Sequence, residues 1–111
     1  MLFKYIVIFI LVIMAKINKI KPDNQADGDH TTFLEDLIGR ILKYATYVKN
    51  KLNPKGFDEI KRVDLYGGTH FNKVTEEHIA TPHVHESNIP GEIRNANDNE
   101  IPRRNKRLDS E

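Results

Sequence analysis

The feature that most constrains this chain is its N-terminus. Met1 to Ala15 reads MLFKYIVIFILVIMA, in which Lys4 is the only charge and Tyr5 to Ala15 is an unbroken apolar run of eleven residues. In a chain of 111 residues that is 39% hydrophobic, such a run withdraws a sizeable share of the apolar side chains. The remainder must build its core from few residues, as one small domain of marginal stability. A short basic start, an apolar centre and a small residue at Ala15 are the parts of a secretory signal peptide. A spanning helix usually needs about 20 apolar residues, which this run does not reach alone. Met1 to Ile20 entering the bilayer together, with snorkelling lysines, would make an anchor. Lys16, Lys19 and Lys21 are untidy for a cleavage region and favour that second reading. A buried element of the fold is the third. The first two predict a secreted or membrane-associated protein, held to the membrane by residues 1–20 if they are not cleaved.

Absence of cysteine excludes disulfides, thiolate metal sites and a thiol nucleophile. Seventeen Lys and Arg against sixteen Asp and Glu leave a formal charge of +1, which argues neither for nor against nucleic acid.

Pro22, Asn24, Asp27, Gly28 and Asp29 mark residues 22–30 as a linker. Thr31 or Thr32 can cap a helix, with Glu35 as the capping-box partner. Leu34, Leu37, Ile38, Ile41, Leu42, Ala45, Val48 and Leu52 then fall on one stripe at helical spacing, which predicts a helix from Thr32 to about Leu52. Asn53-Pro54 and Lys55-Gly56 end it. Glu59 to Tyr66 alternates like a strand, with Val63 and Leu65 on one face and Arg62 and Asp64 on the other. Gly67-Gly68 suits a two-residue hairpin turn, returning as a strand over Thr69 to Thr75. A helical turn at Glu76 to Ile79 and a third strand over Ala80 to Glu86 follow, with Pro82 placed at an edge or a strand start. From Asn95 onward Asn, Asp and Arg dominate, and the basic run Arg103 to Arg107 reads as part of a loosely ordered tail. The expected fold is α+β, one long amphipathic helix packed on a small antiparallel sheet. Its divisions are residues 1–21 (signal peptide or anchor), 22–30 (linker), 31–94 (domain) and 95–111 (polar, partly basic tail).

Four of the five histidines, His70, His78, His83 and His85, lie within sixteen residues. Histidine is the side chain best able to trade protons or bind metal near neutral pH. On an extended segment His83 and His85 project from one face. Two chemistries fit. In a metal-free ribonuclease one group accepts the 2′-hydroxyl proton, a second protonates the leaving oxygen, and a cation stabilises the phosphorane. His83 and His85 could form that pair with His70 assisting, while Arg94, Lys73 and Thr81 bind phosphate. Alternatively His70, His83 and His85 hold a metal, zinc by ligand type, with no enzymatic role required. Glu86 has the wrong strand parity to join them without a bulge. The plainest reading is a solvated polar edge.

Tyr66-Gly67-Gly68-Thr69-His70, Thr81-Pro82-His83-Val84-His85-Glu86, Pro90-Gly91-Glu92-Ile93-Arg94 and Glu100-Ile101-Pro102 together resemble C-terminal toxin domains of bacterial polymorphic toxins, nearest the type 24 group. That resemblance implies a small secreted effector, a nuclease, neutralised by an immunity protein; joined to the acid–base reading of the histidines, it makes RNA the expected substrate. It singles out His70, His83, His85, Glu86 and Arg94. The chain departs from the pattern in carrying its own apolar N-terminus, because such domains usually end a long delivery protein.

Overall fold

A computed structural model describes residues 19–110. The signal-or-anchor expectation falls on residues that lie almost wholly outside this range. Among the described residues no helix is long and apolar enough to cross a membrane.

The described chain is mostly antiparallel sheet. Strands β1 (His30–Glu35), β2 (Ile41–Lys49), β3 (Phe57–Asp64), β4 (His70–Asn72), β5 (Glu77–Ile79), β6 (His83–Glu86) and β7 (Ile93–Asn95) are followed by one short helix, α1 (Arg103–Asp109). Five strands form a sheet in the order β1-β2-β3-β6-β7, and β4 and β5 form a separate hairpin.

The expected long helix over Thr32 to Leu52 is therefore wrong: that stretch is the β1–β2 hairpin. Its turn is built by Asp36, whose Oδ1 accepts the backbone N–H of Ile38 (3.0 Å) and of Arg40 (2.9 Å) while Oδ2 accepts Arg40 Nε (2.8 Å). Gly39 completes the turn at φ +89°, a left-handed conformation that side chains disfavour. On either side stand Thr31, Thr32, Phe33, Tyr44, Thr46, Tyr47 and Val48, β-branched and aromatic residues that suit a pleated sheet. The helical stripe was a coincidence of spacing. Of its members Ile41 and Ala45 are buried, whereas Leu37 is 100% exposed at the turn and Leu52 93% exposed beyond β2. Accordingly Ile41→Ala is expected to cost roughly 2–5 kcal/mol, and Leu37→Ala less than about half a kcal/mol. Denaturant midpoints of the two variants measure this directly. Equal losses would contradict the sheet placement.

The Gly67-Gly68 hairpin is also corrected. The partners of β3 are β2 and β6, and β4 pairs with β5 instead. Asn72 makes the β4–β5 turn. Its Oδ1 accepts the N–H groups of Val74 (2.9 Å) and Thr75 (3.0 Å), and Glu76 N donates to Asn72 O (2.8 Å). The helical turn expected at Glu76 to Ile79 is thereby replaced by strand β5. Asn72 Nδ2 donates to the carbonyls of Pro90 and Ile93 at 3.0 Å each, fastening the hairpin beside β7.

Cross-strand register sorts the sheet into two faces. Tyr44, Val63, Val84 and Arg94 lie in one row across β2, β3, β6 and β7, and Ala45, Arg62, His85 and Ile93 in the next, on the opposite face. The first face carries the main core of Ile41, Val63, Leu65 and Val84, joined by Tyr44, Tyr66, Ala96 and Ile101. On the second face Ala45, Tyr47 and Phe57 pack with Ile20 and Ala26.

The C-terminal residues are not the loosely ordered tail that their composition implied. Asn105, on α1, is buried and bridges the start of β2. Its Oδ1 accepts Ile41 N (2.9 Å) and its Nδ2 donates to Ile41 O (2.8 Å), as a neighbouring strand would. Glu100 is buried too. It accepts from Arg94 Nη1 (2.8 Å) and Nη2 (3.0 Å), from the backbone of Asn97 (2.8 Å), and pairs with Lys61. The Arg94 hydrogen bonds are the main cause that holds its carboxyl down to about 2, against the opposing effect of burial. Because the folded-state pKa is depressed, this contribution to stability is fully present above the ordinary carboxyl value near 4.5. It is lost as pH falls from there toward about 2. Acid titration of Glu100→Gln should show a shallower loss of stability across that window than the parent chain. Parallel curves would remove Glu100 from the account.

Candidate metal centre

The second face of the sheet gathers the histidines. Antiparallel pairing of β3 with β6 sets Asp64 opposite His83 and Arg62 opposite His85, so all four side chains share one face. The β4–β5 hairpin closes over them and contributes Ile79 and His70. Ring centroids are 5.0 Å apart for His83–His85 and His70–His85, and 6.3 Å for His70–His83, in edge-to-face arrangements.

Asp64 is the hub. His83 Nε2 and His85 Nε2 each lie 3.2 Å from the same oxygen, Asp64 Oδ2. Arg62 grips the carboxylate from the side, Nε to Oδ1 at 2.9 Å and Nη2 to Oδ2 at 3.2 Å. Burial pushes the Asp64 carboxyl up, but the hydrogen bonds from His85 and Arg62 outweigh it and hold the group well below the usual carboxylate range. Asp64 is therefore ionised at every physiological pH.

His83 is the most confined ring, 3% exposed. Its Nδ1 lies 3.2 Å from the Ile79 carbonyl oxygen, and its Nε2 faces Asp64. Both neighbours only accept hydrogen bonds. A neutral imidazole has one N–H to give, so one nitrogen is left presenting a lone pair to an oxygen. The arrangement is satisfied when a positive centre sits between Nε2 and Oδ2, either a second ring proton or a metal ion. A ring held through Nδ1–H by a backbone carbonyl, with Nε2 free for a metal, is the usual way a ligating histidine is oriented. Asp64, His83 and His85 each offer a ligand atom, all within 4.8 Å of one another, and form a triad able to hold a metal.

The other expected site residues are placed as follows. His70 is exposed at the rim, with its ring against His85. Lys73 is exposed in the β4–β5 turn. Thr81 Oγ1 donates to the Gly67 carbonyl (3.3 Å), tying two loops together. Arg94 and Glu86 lie on the opposite face, where Arg94 Nε meets Glu86 Oε2 at 3.2 Å and both nitrogens of its fork meet Glu100. Arg94 thus belongs to a structural ion-pair network and does not reach the histidines. His78 packs on Phe71 away from the cluster, with centroids 5.0 Å apart.

Asp64 is the member of the cluster that sequence reasoning missed. Its alternation with Val63 and Leu65 was visible. Its position beside His83 was not, because nineteen residues and a whole hairpin separate the two.

The class these features define is a small, mostly antiparallel sheet domain with a two-histidine, one-carboxylate cluster on one face. Comparison with family models, with curated proteins and with solved structures gave no match.

Proposed function

We propose that this chain is a zinc-binding domain whose open coordination position serves hydrolysis. The observation that carries the reading is the buried His83 ring set between two hydrogen-bond acceptors, with His85 converging on the same Asp64 oxygen. Zinc bonds of about 2.0–2.1 Å place tetrahedral ligands roughly 3.3 Å apart. The Nε2–Oδ2 separations are 3.2 Å for both histidines, near that edge, and the three donor atoms lie within 4.8 Å of one another. Two imidazoles and one carboxylate are the donor composition of catalytic rather than structural zinc. Asp64, His83 and His85 would hold the ion, which would supply the means of activating water at neutral pH. His70, at the rim with its ring against His85, is then the residue positioned to handle a proton.

A second reading keeps the metal-free cleavage of RNA expected from the histidine pair, with the immunity protein that the toxin resemblance implies as its partner. One feature favours it. The exposed His70 and the half-buried His85 stand at 5.0 Å, and Asp64 orients His85 as a carboxylate orients a general base. On this reading the acid–base pair is His70 and His85, because His83 is shut away from substrate.

Titration of the purified chain with zinc, by calorimetry or competition with a chromophoric chelator, tests the first reading. One equivalent should bind, with thermal stability rising as zinc is added. Hydrolysis of bulk RNA should stop in excess chelator and return with zinc. Failure to take up zinc at micromolar concentration would overturn the proposal. Cleavage of RNA that persists in chelator would move the assignment to the His70–His85 pair.

A further inference from the structure

We infer that the β2–β3 loop, residues 50–56, is a docking surface for an anionic lipid bilayer, and that it holds the histidine cluster, at the other end of β3, away from the membrane. This inference is independent of the metal assignment. Between Lys49 and Phe57 the chain reads Lys-Asn-Lys-Leu-Asn-Pro-Lys-Gly-Phe, three lysines and no acid. Lys51, Leu52, Pro54 and Lys55 are all exposed, and the Leu52 side chain, at 93%, has no apolar cover. A bare leucine among lysines suits a membrane surface, where the apolar side chain enters the acyl boundary and the cations meet anionic headgroups.

The loop is also where the apolar N-terminal run joins the domain. Ile20 packs against the Ala45, Tyr47 and Phe57 cluster. Ile20, Lys21, Pro54 and Lys55 line one groove. Lys19 and Lys21, both exposed, add two cations at this end. Tyr5 to Ala15, an apolar segment suited to the bilayer by composition, lies only a few residues upstream of this contact.

Polarity within the fold follows from the strands. The loop sits at the end of β2 and the start of β3, whereas Asp64 closes β3 at the far end. Eight residues of strand at about 3.3 Å each place the cluster roughly 25 Å from the loop. Leu37, 100% exposed in the β1–β2 turn, marks that far end. The cations beside it, Arg40 and Arg104, are engaged by Asp36 and Glu35, unlike the exposed Lys51 and Lys55 of the β2–β3 loop.

The absence of cysteine makes the test clean, because a single introduced thiol is the only labelling site. Full-length Leu52→Cys and Leu37→Cys variants, each carrying an environment-sensitive fluorophore, would be mixed with vesicles of phosphatidylcholine alone or with one-third phosphatidylglycerol. Both positions are solvent-exposed, so neither substitution touches the core. The expected result is an emission blue shift at position 52 on the phosphatidylglycerol vesicles, several-fold larger than at position 37. Lys51→Glu with Lys55→Glu should abolish it. A shift at position 37 equal to or larger than that at 52, no shift at either, or an equal shift at 52 on neutral vesicles would each overturn the inference. Zinc uptake, measured on the same samples, reports separately on the metal centre.

Discussion

Gly91→Ala is expected to unfold the domain or to cost roughly 3–6 kcal/mol, from three effects that act together. Gly91 has φ +72°, so any side chain there is strained. An added Cβ would fall inside the side-chain amide of Asn72, which is itself buried. Asn72 cannot move aside without giving up two donated and two accepted hydrogen bonds. Those bonds hold the β4–β5 hairpin over the histidines, so the site should fail with the fold. Gly39→Ala is the control. It has φ +89° but open space around the missing Cβ, and should lose only the backbone preference, about 1–2 kcal/mol. Urea denaturation of both variants reads the difference. If Gly91→Ala proves no worse than Gly39→Ala, the hairpin is not fastened by Asn72.

Asp64→Asn should lower zinc affinity by more than about 100-fold while leaving the fold intact. The two amino acids have the same shape, so packing is preserved. What is lost is the anionic oxygen on which both Nε2 atoms converge. Removing even a residue that only hydrogen-bonds to a metal's ligand typically costs 10–100-fold, and in the proposed site Asp64 would be a direct ligand. His85→Ala should have a comparable effect, and its ring is 21% exposed, so little core is disturbed. Arg94→Gln makes the contrasting case. It breaks the ion pairs to Glu86 and Glu100 on the other face and should reduce stability without changing zinc affinity. Zinc binding undiminished in Asp64→Asn would remove the carboxylate from the site. Loss of zinc binding in a folded Arg94→Gln would show that the two faces are coupled.

Local residue patterns carried part of this structure. The alternation of Arg62, Val63, Asp64 and Leu65 specified a strand with one polar face, and β3 has it. His-x-His on an extended segment put two imidazoles on one side, and β6 does so. Both depend on the two-residue period of a strand, which needs no knowledge of neighbours. The stretch from Thr31 to Leu52 misled because its apolar residues fit both a helical and a strand period. Gly39 and the Asp36 turn decided for strands, and the β-branched and aromatic residues around them pointed the same way.

Asn105 and Glu100 were hidden for a different reason. In a segment rich in Asn, Asp and Arg, a buried polar side chain looks like a solvated one until its partners are known. Those partners are the Ile41 backbone in one case and Arg94 and Lys61 in the other. The same limit applies to the candidate site. By itself the sequence determined the histidine types, their shared face and the exclusion of thiolate chemistry. Only the tertiary structure brought Asp64 into that group and sent Arg94 to the other side of the sheet. Strand pairing fixes which distant residues meet, and β3 reaches β6 across an intervening hairpin that gives no local signal of being skipped.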